Sequence, residues 1–250
     1  MKAMVLAAGL GTRLRPLTND RPKALVAVAG RTMLEIVLER LRKFGVNEVI
    51  VNTHHYAEMI RDYLVANGNF GMRIELSHEE ELLDTGGGLK KAAWFFLEGR
   101  DPDDPSLAPF ILHNVDIVST IDIGRMIEQH KRESALATIA GQHRETKRYL
   151  LFDGRGLLCG RRYGLNGELK QVRPAMRPHA LAYSCIQVIE PRIFAEMTET
   201  GAFSIIDSEL RMVSLGAKIL SFRDDSAYWR DLGRPESVAE AAREIKKDSD

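Results

Sequence analysis

The stretch Met4-Val-Leu-Ala-Ala-Gly-Leu-Gly-Thr-Arg-Leu-Arg-Pro-Leu-Thr18, followed by Arg21-Pro-Lys-Ala-Leu25, decides how the chain is read. It begins as a short apolar run, Ala3–Ala7, turns on two glycines and then becomes basic. A short apolar run bounded by glycine has the character of a strand buried on both faces. The rest of the first half repeats that theme with helices between. Thr32-Met-Leu-Glu35 has the form of a capping box, and apolar residues at 34, 37, 38, 41 and 44 predict a helix ended by Gly45. Strands are predicted at Glu48–Asn52, Arg73–Ser77, Pro109–Asn114 and Ala135–Ala140. Helices are predicted at Tyr56–Ala66, Gly86–Leu97 and Ile121–Arg132. This alternation predicts βαβ units in an α/β, doubly wound, mostly parallel Rossmann-like sheet with helices on both faces.

After about residue 145 the rhythm changes. Tyr149–Leu158 predicts two short strands around Asp153-Gly154, and Ala180–Ile189 a long apolar strand. Ser204–Leu215 predicts a helix, Lys218–Phe222 a strand and Glu236–Lys247 a closing helix. The sequence has no repeat and no clear linker. The expectation is one domain over 1–250 carrying a smaller antiparallel part.

The chain has 250 residues, with 35 Lys+Arg against 35 Asp+Glu. Zero formal net charge gives no global pull toward nucleic acid or an anionic membrane. The basic residues Arg13, Arg15, Arg21 and Lys23 nonetheless cluster in the opening loop. No run approaches the ~18 apolar residues of a membrane span. The two cysteines, Cys159 and Cys185, lack metal-ligand spacing and fit buried thiols. A cytoplasmic location is expected. Oligomeric state is not legible here.

In open α/β sheets, ligands bind at the carboxyl ends of the strands. A dinucleotide fingerprint fails in the opening turn, because Leu14 stands where its third glycine belongs, and the P-loop spacing is absent. This leaves Gly9-Leu-Gly11-Thr12-Arg13 with Lys23 ten residues on. Glycines let backbone N–H groups approach an anion, Arg13 offers a planar fork, and Lys23 a mobile point charge. Asp116 ends an apolar strand, a position open to a metal ligand but more often held by a helix-cap or turn residue. Asp122 lies at a helix start and suits a capping role. A Gly-rich turn with solvated basic residues is the alternative that the chemistry alone leaves open.

Leu6-Ala-Ala-Gly-Leu-Gly-Thr-Arg-Leu-Arg-Pro-Leu-Thr18 with Arg21-Pro-Lys23 resembles the signature of the sugar-1-phosphate nucleotidyltransferases, or nucleoside-diphosphate-sugar pyrophosphorylases. The resemblance continues through Val51-Asn-Thr-His-His55, Leu83-Asp-Thr-Gly-Gly-Gly-Leu89, His113-Asn-Val-Asp116 and Trp229-Arg-Asp-Leu-Gly233. The Thr85–Gly88 form is similar to the N-acetylmuramate-1-phosphate uridylyltransferase branch, with guanylyl- and cytidylyltransferases close by.

The resemblance implies Mg²⁺-dependent transfer of a nucleotidyl group from an NTP, UTP favoured, to a sugar 1-phosphate. It implies a nucleotide-binding half over about 1–145, a sugar-binding half over about 146–235 and a closing segment over 236–250. Arg13 and Lys23 are then the catalytic cations. Leu6, Ala7, Ala8, Gly9, Gly11, Thr12, Glu80, Thr85, Gly86 and Gly87 join them around the nucleotide. Glu79 and Glu80 compete as acceptors for the base or ribose. Asp116 and Asp231 hold the metal. Asn114, Val115, Glu168, Lys170, Ser184 and Trp229 lie on the sugar side. His54, His55 and His113 are structural in this reading. The family has Gly where this chain has Val115 and Cys185, which implies an altered sugar pocket. Two alternatives stay open. One is a non-catalytic nucleotide- or sugar-sensing homologue, disfavoured by the presence of Arg13, Lys23, Asp116 and Asp231. The other is a cytidylyltransferase acting on a non-sugar phosphate such as phosphocholine.

Overall fold

The computed structural model describes residues 1–164 and 167–247, so the last three residues of the closing segment lie outside it. The described chain forms two compact units that interleave along the sequence. One comprises Met1–Leu82, His113–Thr120 and the segment from Tyr228. The other comprises Leu83–Leu112 and Ile121–Ala227. Elements are numbered in chain order.

The first unit is built on three parallel strands: β1 (Lys2–Leu6), β4 (Glu48–Thr53) and β5 (Arg73–His78). β4 lies between its neighbours, with Leu6 opposite Asn52 and Asn52 opposite Ser77. Ala3, Met4, Val5, Val49, Ile50 and Val51 are wholly buried, as consecutive apolar residues on a doubly covered strand should be. A short hairpin pairs β2 (Ala27–Val28) with β3 (Arg31–Thr32). Helix α1 (Met33–Lys43) starts as predicted, with Thr32 Oγ1 accepting from Glu35 N at 3.1 Å. In place of the reciprocal half of the capping box, the Glu35 carboxylate accepts from Tyr63 Oη at 2.9 Å. Tyr63 comes from α2 (Ala57–Ala66).

The second unit holds the mixed sheet β13-β8-β12-β9-β10-β11, namely Ile219–Arg223, Ala137–Gln142, His179–Ile189, Arg148–Phe152, Leu158–Tyr163 and Leu169–Gln171. β13 runs parallel to β8, and every other pairing in that order is antiparallel. The antiparallel part predicted after about residue 145 is therefore present. β6 (Phe110–Asn114) is shared between the two units at Leu112/His113. Phe96, Phe110 and Phe194 stack in the core of the second unit, with Phe96 and Phe110 at 3.9 Å between ring centroids. Asp122 caps α5 (Ile123–Glu133) by accepting from Arg125 N at 3.0 Å.

The single helix expected over Gly86–Leu97 is two, α3 (Asp84–Lys91) and α4 (Ala93–Leu97), broken at Ala92. The glycines lie inside α3 rather than at its start. Helix α7 (Ile205–Ser214) follows the short α6 (Ile193–Glu196). The segment before α7 packs directly on α3. A Cβ on Gly87 would meet Gly201 O at 2.4 Å, and one on Gly86 would meet the Phe203 ring at 2.5 Å. Close packing of this segment, the Phe203 ring and the Gly201 backbone, against the α3 backbone explains two of the three glycines.

Cys185 departs from ordinary strand geometry. It has φ 59, in the left-handed region, where the β12–β8 register shifts between Tyr183 and Gln187. Cys159 is buried as expected, whereas Cys185 is only half-buried.

Candidate functional site

The opening loop leaves β1 and is tied down at three points. Leu6 O accepts from Val115 N at 3.1 Å, and Ala7 N donates to Asn52 Oδ1 at 2.6 Å. Thr18 Oγ1 donates to Gly11 O at 2.8 Å, which closes the loop on itself. Gly11 has φ +65, and a Cβ there would lie 3.0 Å from Thr18 Cγ2. Both conformation and space therefore demand glycine at this turn. Ala8 is buried, and Gly9 and Thr12 are exposed. Thr12 and Arg13 begin a 3-10 turn, Thr12–Leu14, anchored by the buried Leu14. The Arg13 residue is exposed.

Lys23 lies on a second 3-10 turn, Lys23–Leu25, entered through Pro22. Its Nζ reaches back under the loop and donates to Asp116 Oδ2 at 2.9 Å. The pair is largely shielded, with side-chain exposures of 14% and 8%. A Cβ on Gly9 would sit 3.5 Å from the same Nζ.

Asp116 follows β6 and precedes β7 (Ile117–Ser119). β7 pairs antiparallel with β14 (Trp229–Asp231), which sets Asp231 opposite Ile117 and Trp229 opposite Ser119. Leu232 N then donates to Asp116 O at 2.8 Å. This ladder brings two aspartates 115 positions apart in sequence (231 minus 116) to neighbouring places. Asp231 Oδ1 accepts from Gly233 N at 2.6 Å. A Cβ on Gly233 would lie 2.7 Å from Asp231 Oδ1 and 2.9 Å from Arg13 Nη2. The fork of Arg13 and the carboxylate of Asp231 thus converge over Gly233. Behind them, α8 (Pro235–Lys247) holds β14 in place: Arg230 Nη2 donates to Glu244 Oε1 at 2.7 Å, and Tyr228 Oη to Glu244 Oε2 at 2.7 Å.

The residues present suit a divalent cation in part. Asp116 Oδ1 is buried and has no hydrogen-bond partner among the described residues, while Oδ2 is held by Lys23. A buried carboxylate oxygen left without a donor is costly unless something else completes it. Among the described residues no cluster of three or more His, Cys, Asp or Glu side chains gathers around a common point. The protein therefore offers two carboxylates, a set that suits Mg²⁺ only where substrate oxygens and water supply the remaining ligands.

The sequence did not single out the support under this loop. The Asn52 amide donates to Glu79 Oε1 at 2.8 Å while its oxygen takes the Ala7 N–H. Glu79 is 1% exposed, and Glu79 N donates to Thr53 O at 2.7 Å. Glu79 is thus a buried brace, whereas Glu80 is exposed. The parallel register, with Asn52 and Thr53 level with Ser77 and His78, was the available signal. His54 Nδ1 binds Glu79 O at 2.8 Å. His113 is wholly buried with Nδ1 on Asn114 O at 2.7 Å, and burial pushes its pKa down to about 4, so it is neutral. Both therefore have structural partners.

The remaining predicted residues are spread over both units. Asn114 ends β6, and the Val115 side chain is 1% exposed. Thr85, Gly86 and Gly87 belong to the second unit: Thr85 Oγ1 accepts from Ile205 N at 3.0 Å, and the Gly86 and Gly87 N–H groups both donate to Phe203 O. Glu168 and Lys170 are exposed at β11, and Ser184 is wholly buried in β12.

Comparison with known proteins bears on the family and the fold. Residues 2–150 match the family described as Nucleotidyl transferase. An N-acetylmuramate alpha-1-phosphate uridylyltransferase from Caulobacter vibrioides is 44% identical over 119 residues, covering 46% of each chain. A UTP–glucose-1-phosphate uridylyltransferase from Synechocystis is 35% identical over 150 residues, covering 56% of this chain and 36% of the relative. The matched region thus spans less than half the length of these relatives. The fold is also that of HddC from Yersinia pseudotuberculosis, whose structure was determined in complex with GMP-PN, with a TM-score of 0.75 at 22% identity over 98% of this chain and 99% of that one. With more than half of its length matched, the chain belongs to the nucleotidyl transferase family.

Proposed function

We propose that the chain transfers a nucleotidyl group from a nucleoside triphosphate, UTP by preference, to a sugar 1-phosphate. The observation that carries this reading is the convergence of Arg13, Lys23, Asp116 and Asp231 around one glycine-rich loop in a single compact unit. That arrangement suits in-line displacement between anions. An oxygen of the sugar 1-phosphate forms a bond to the α-phosphorus, the bond from that phosphorus to the β-bridging oxygen breaks, and pyrophosphate leaves. No covalent bond to the protein is needed, so the task is to hold and neutralise crowded phosphates. The N–H groups of the loop Ala8–Thr12 cradle the triphosphate. Arg13, exposed at the loop's end, suits the oxygens that become pyrophosphate, since its planar fork binds two at once. Lys23 Nζ lies nearer the floor and suits the α-phosphate. Asp116 and Asp231 are the residues that would hold Mg²⁺, which supplies charge neutralisation at the α-phosphate when bound. The resemblance and the uridylyltransferase relatives support uridine, and the reducing cytoplasm is the compartment that suits the chain.

The test is pyrophosphate release with Mg²⁺, across UTP, GTP, CTP, ATP and dTTP, against sugar 1-phosphates that include those of N-acetylmuramate, N-acetylglucosamine and glucose, with phosphocholine alongside. One productive pair establishes the reaction and names base and acceptor. Silence on every pair, by a folded chain, refutes it.

A further inference from the structure

Lys23 and Asp116 hold each other in the structure, yet the reaction proposed above asks each to bind something else. Lys23 Nζ is wanted at a phosphate, and Asp116 at a cation. In the structure they are 2.9 Å apart and largely shielded, and the second carboxylate oxygen, Asp116 Oδ1, is buried with nothing among the described residues to accept from. A shielded carboxylate with one oxygen paired and one bare is a site half-filled by an internal cation.

We propose that the Lys23 ammonium is a stand-in for the divalent cation at Asp116, and that nucleotide and metal binding are coupled through its departure. This inference rests on the proposed function and names how that site is regulated. In the resting state Lys23 neutralises Asp116, so the carboxylate is neither lost to the core as an unpaired charge nor open to stray cations. When triphosphate enters the loop, Lys23 has an alternative anion within reach of its flexible stem. As Nζ turns to the phosphate, both oxygens of Asp116 become available to a cation. In the exchange each partner trades one ion pair for another, Lys23 for a phosphate oxygen and Asp116 for the cation. By linkage, whatever nucleotide does for metal affinity, metal does for nucleotide affinity.

Such an exchange runs against ordinary loss of function: removing either partner strengthens binding of the other partner's ligand. Mn²⁺ is the metal probe, followed by electron paramagnetic resonance with no nucleotide present. Lys23→Met keeps the apolar stem and removes the charge, and should tighten Mn²⁺ binding roughly tenfold, the scale of one shielded charge pair. Asp116→Asn frees Lys23 and should tighten binding of the nucleoside triphosphate in EDTA, read by calorimetry, roughly fivefold. Neither readout requires turnover, and the second keeps the inference testable should Lys23→Met fold poorly. If the wild type binds both probes and neither variant gains affinity, the exchange is overturned and the transferase reading stands. If the wild type binds neither probe even when Mn²⁺ and the nucleoside triphosphate are supplied together, both are overturned.

Discussion

Gly233→Ala separates a role in the site from a role in the fold. The backbone of Gly233 is outside the left-handed region, so alanine is conformationally acceptable there. Its methyl group would lie 2.7 Å from Asp231 Oδ1 and 2.9 Å from Arg13 Nη2. A comfortable carbon contact starts near 3.4–3.5 Å, so those atoms must retreat by about 0.7 and 0.5 Å. Both are the ends of side chains, and both belong to half-buried or exposed residues that can move. Restricting the unfolded chain at glycine contributes about 0.5 kcal/mol of stability, which offsets most of the strain. The net change in stability should stay within about 1 kcal/mol, a shift in Tm of only a few degrees for a chain of this size. If Arg13 and Asp231 have the proposed catalytic and metal-holding roles, displacing them by this much should cost roughly 10- to 100-fold in turnover. Pyrophosphate release and urea unfolding, measured on the same preparation, check it. Wild-type turnover would refute the convergence of Arg13 and Asp231 at the reacting centre. So would a loss of turnover matched by a loss of folded protein.

Three further outcomes rest on named contacts. Asp116→Asn should lower turnover by two or more orders of magnitude with the fold retained by circular dichroism; near-normal Mg²⁺-dependent turnover would remove the metal role. Cys185→Gly should raise the urea midpoint by an amount worth about 1 kcal/mol, because a side chain at φ 59 is strained there, while Cys185→Ala, which keeps the Cβ, should give no such gain. Equal effects of the two variants would show that the left-handed backbone is not what limits stability. Glu209 is wholly buried, and burial raises its pKa to about 8. The folded state then holds a proton that the unfolded chain releases near pH 4.5, so stability falls as pH rises from about 4.5 to about 8. Glu209→Gln should flatten that fall, with a gain at pH 8 on the order of a few kcal/mol. An unchanged pH profile would show that Glu209 is not its source.

Local pattern predicted most of the elements, and the motif named the four charged residues, Arg13, Lys23, Asp116 and Asp231, that lie together in the first unit. The strands β1 and β4 were legible because unbroken apolar runs have few other stable uses, and β5 (Arg73–His78) because apolar and polar residues alternate along it. Thr32 and Asp122 were legible as caps because short polar side chains at helix starts satisfy orphan N–H groups. Four features escaped. The Glu35 carboxylate had a better partner in Tyr63, from another helix, than in its own backbone. The break at Ala92 has no glycine or proline to announce it. The brace from Glu79 through Asn52 to Ala7 joins three strand ends and depends on register, which no single segment states. The β7–β14 ladder was similarly hidden, since two three-residue strands far apart in sequence have no periodicity to detect. The signature flagged Asp116 and Asp231, but only the pairing explains how they come together.

The interleaving of the first unit has a consequence for how the chain comes into being. Its charged centre draws on residues 13 and 23, then 116, then 231, so three stretches separated in sequence by the segments of the second unit must meet. During synthesis the loop, its lysine and the first aspartate emerge early, yet Asp231 and Gly233 are made only near the far end of the described chain. A nascent chain halted between residues 116 and 228 has Lys23 and Asp116 but lacks the second carboxylate and the strand that squares it to Arg13. On the proposed function, competence is withheld until that late segment has been threaded home, and closing such distant contacts slows folding. A ribosome-stalled series ending just before and just after residue 233 would show the site switching on as a step, late, rather than accruing with length.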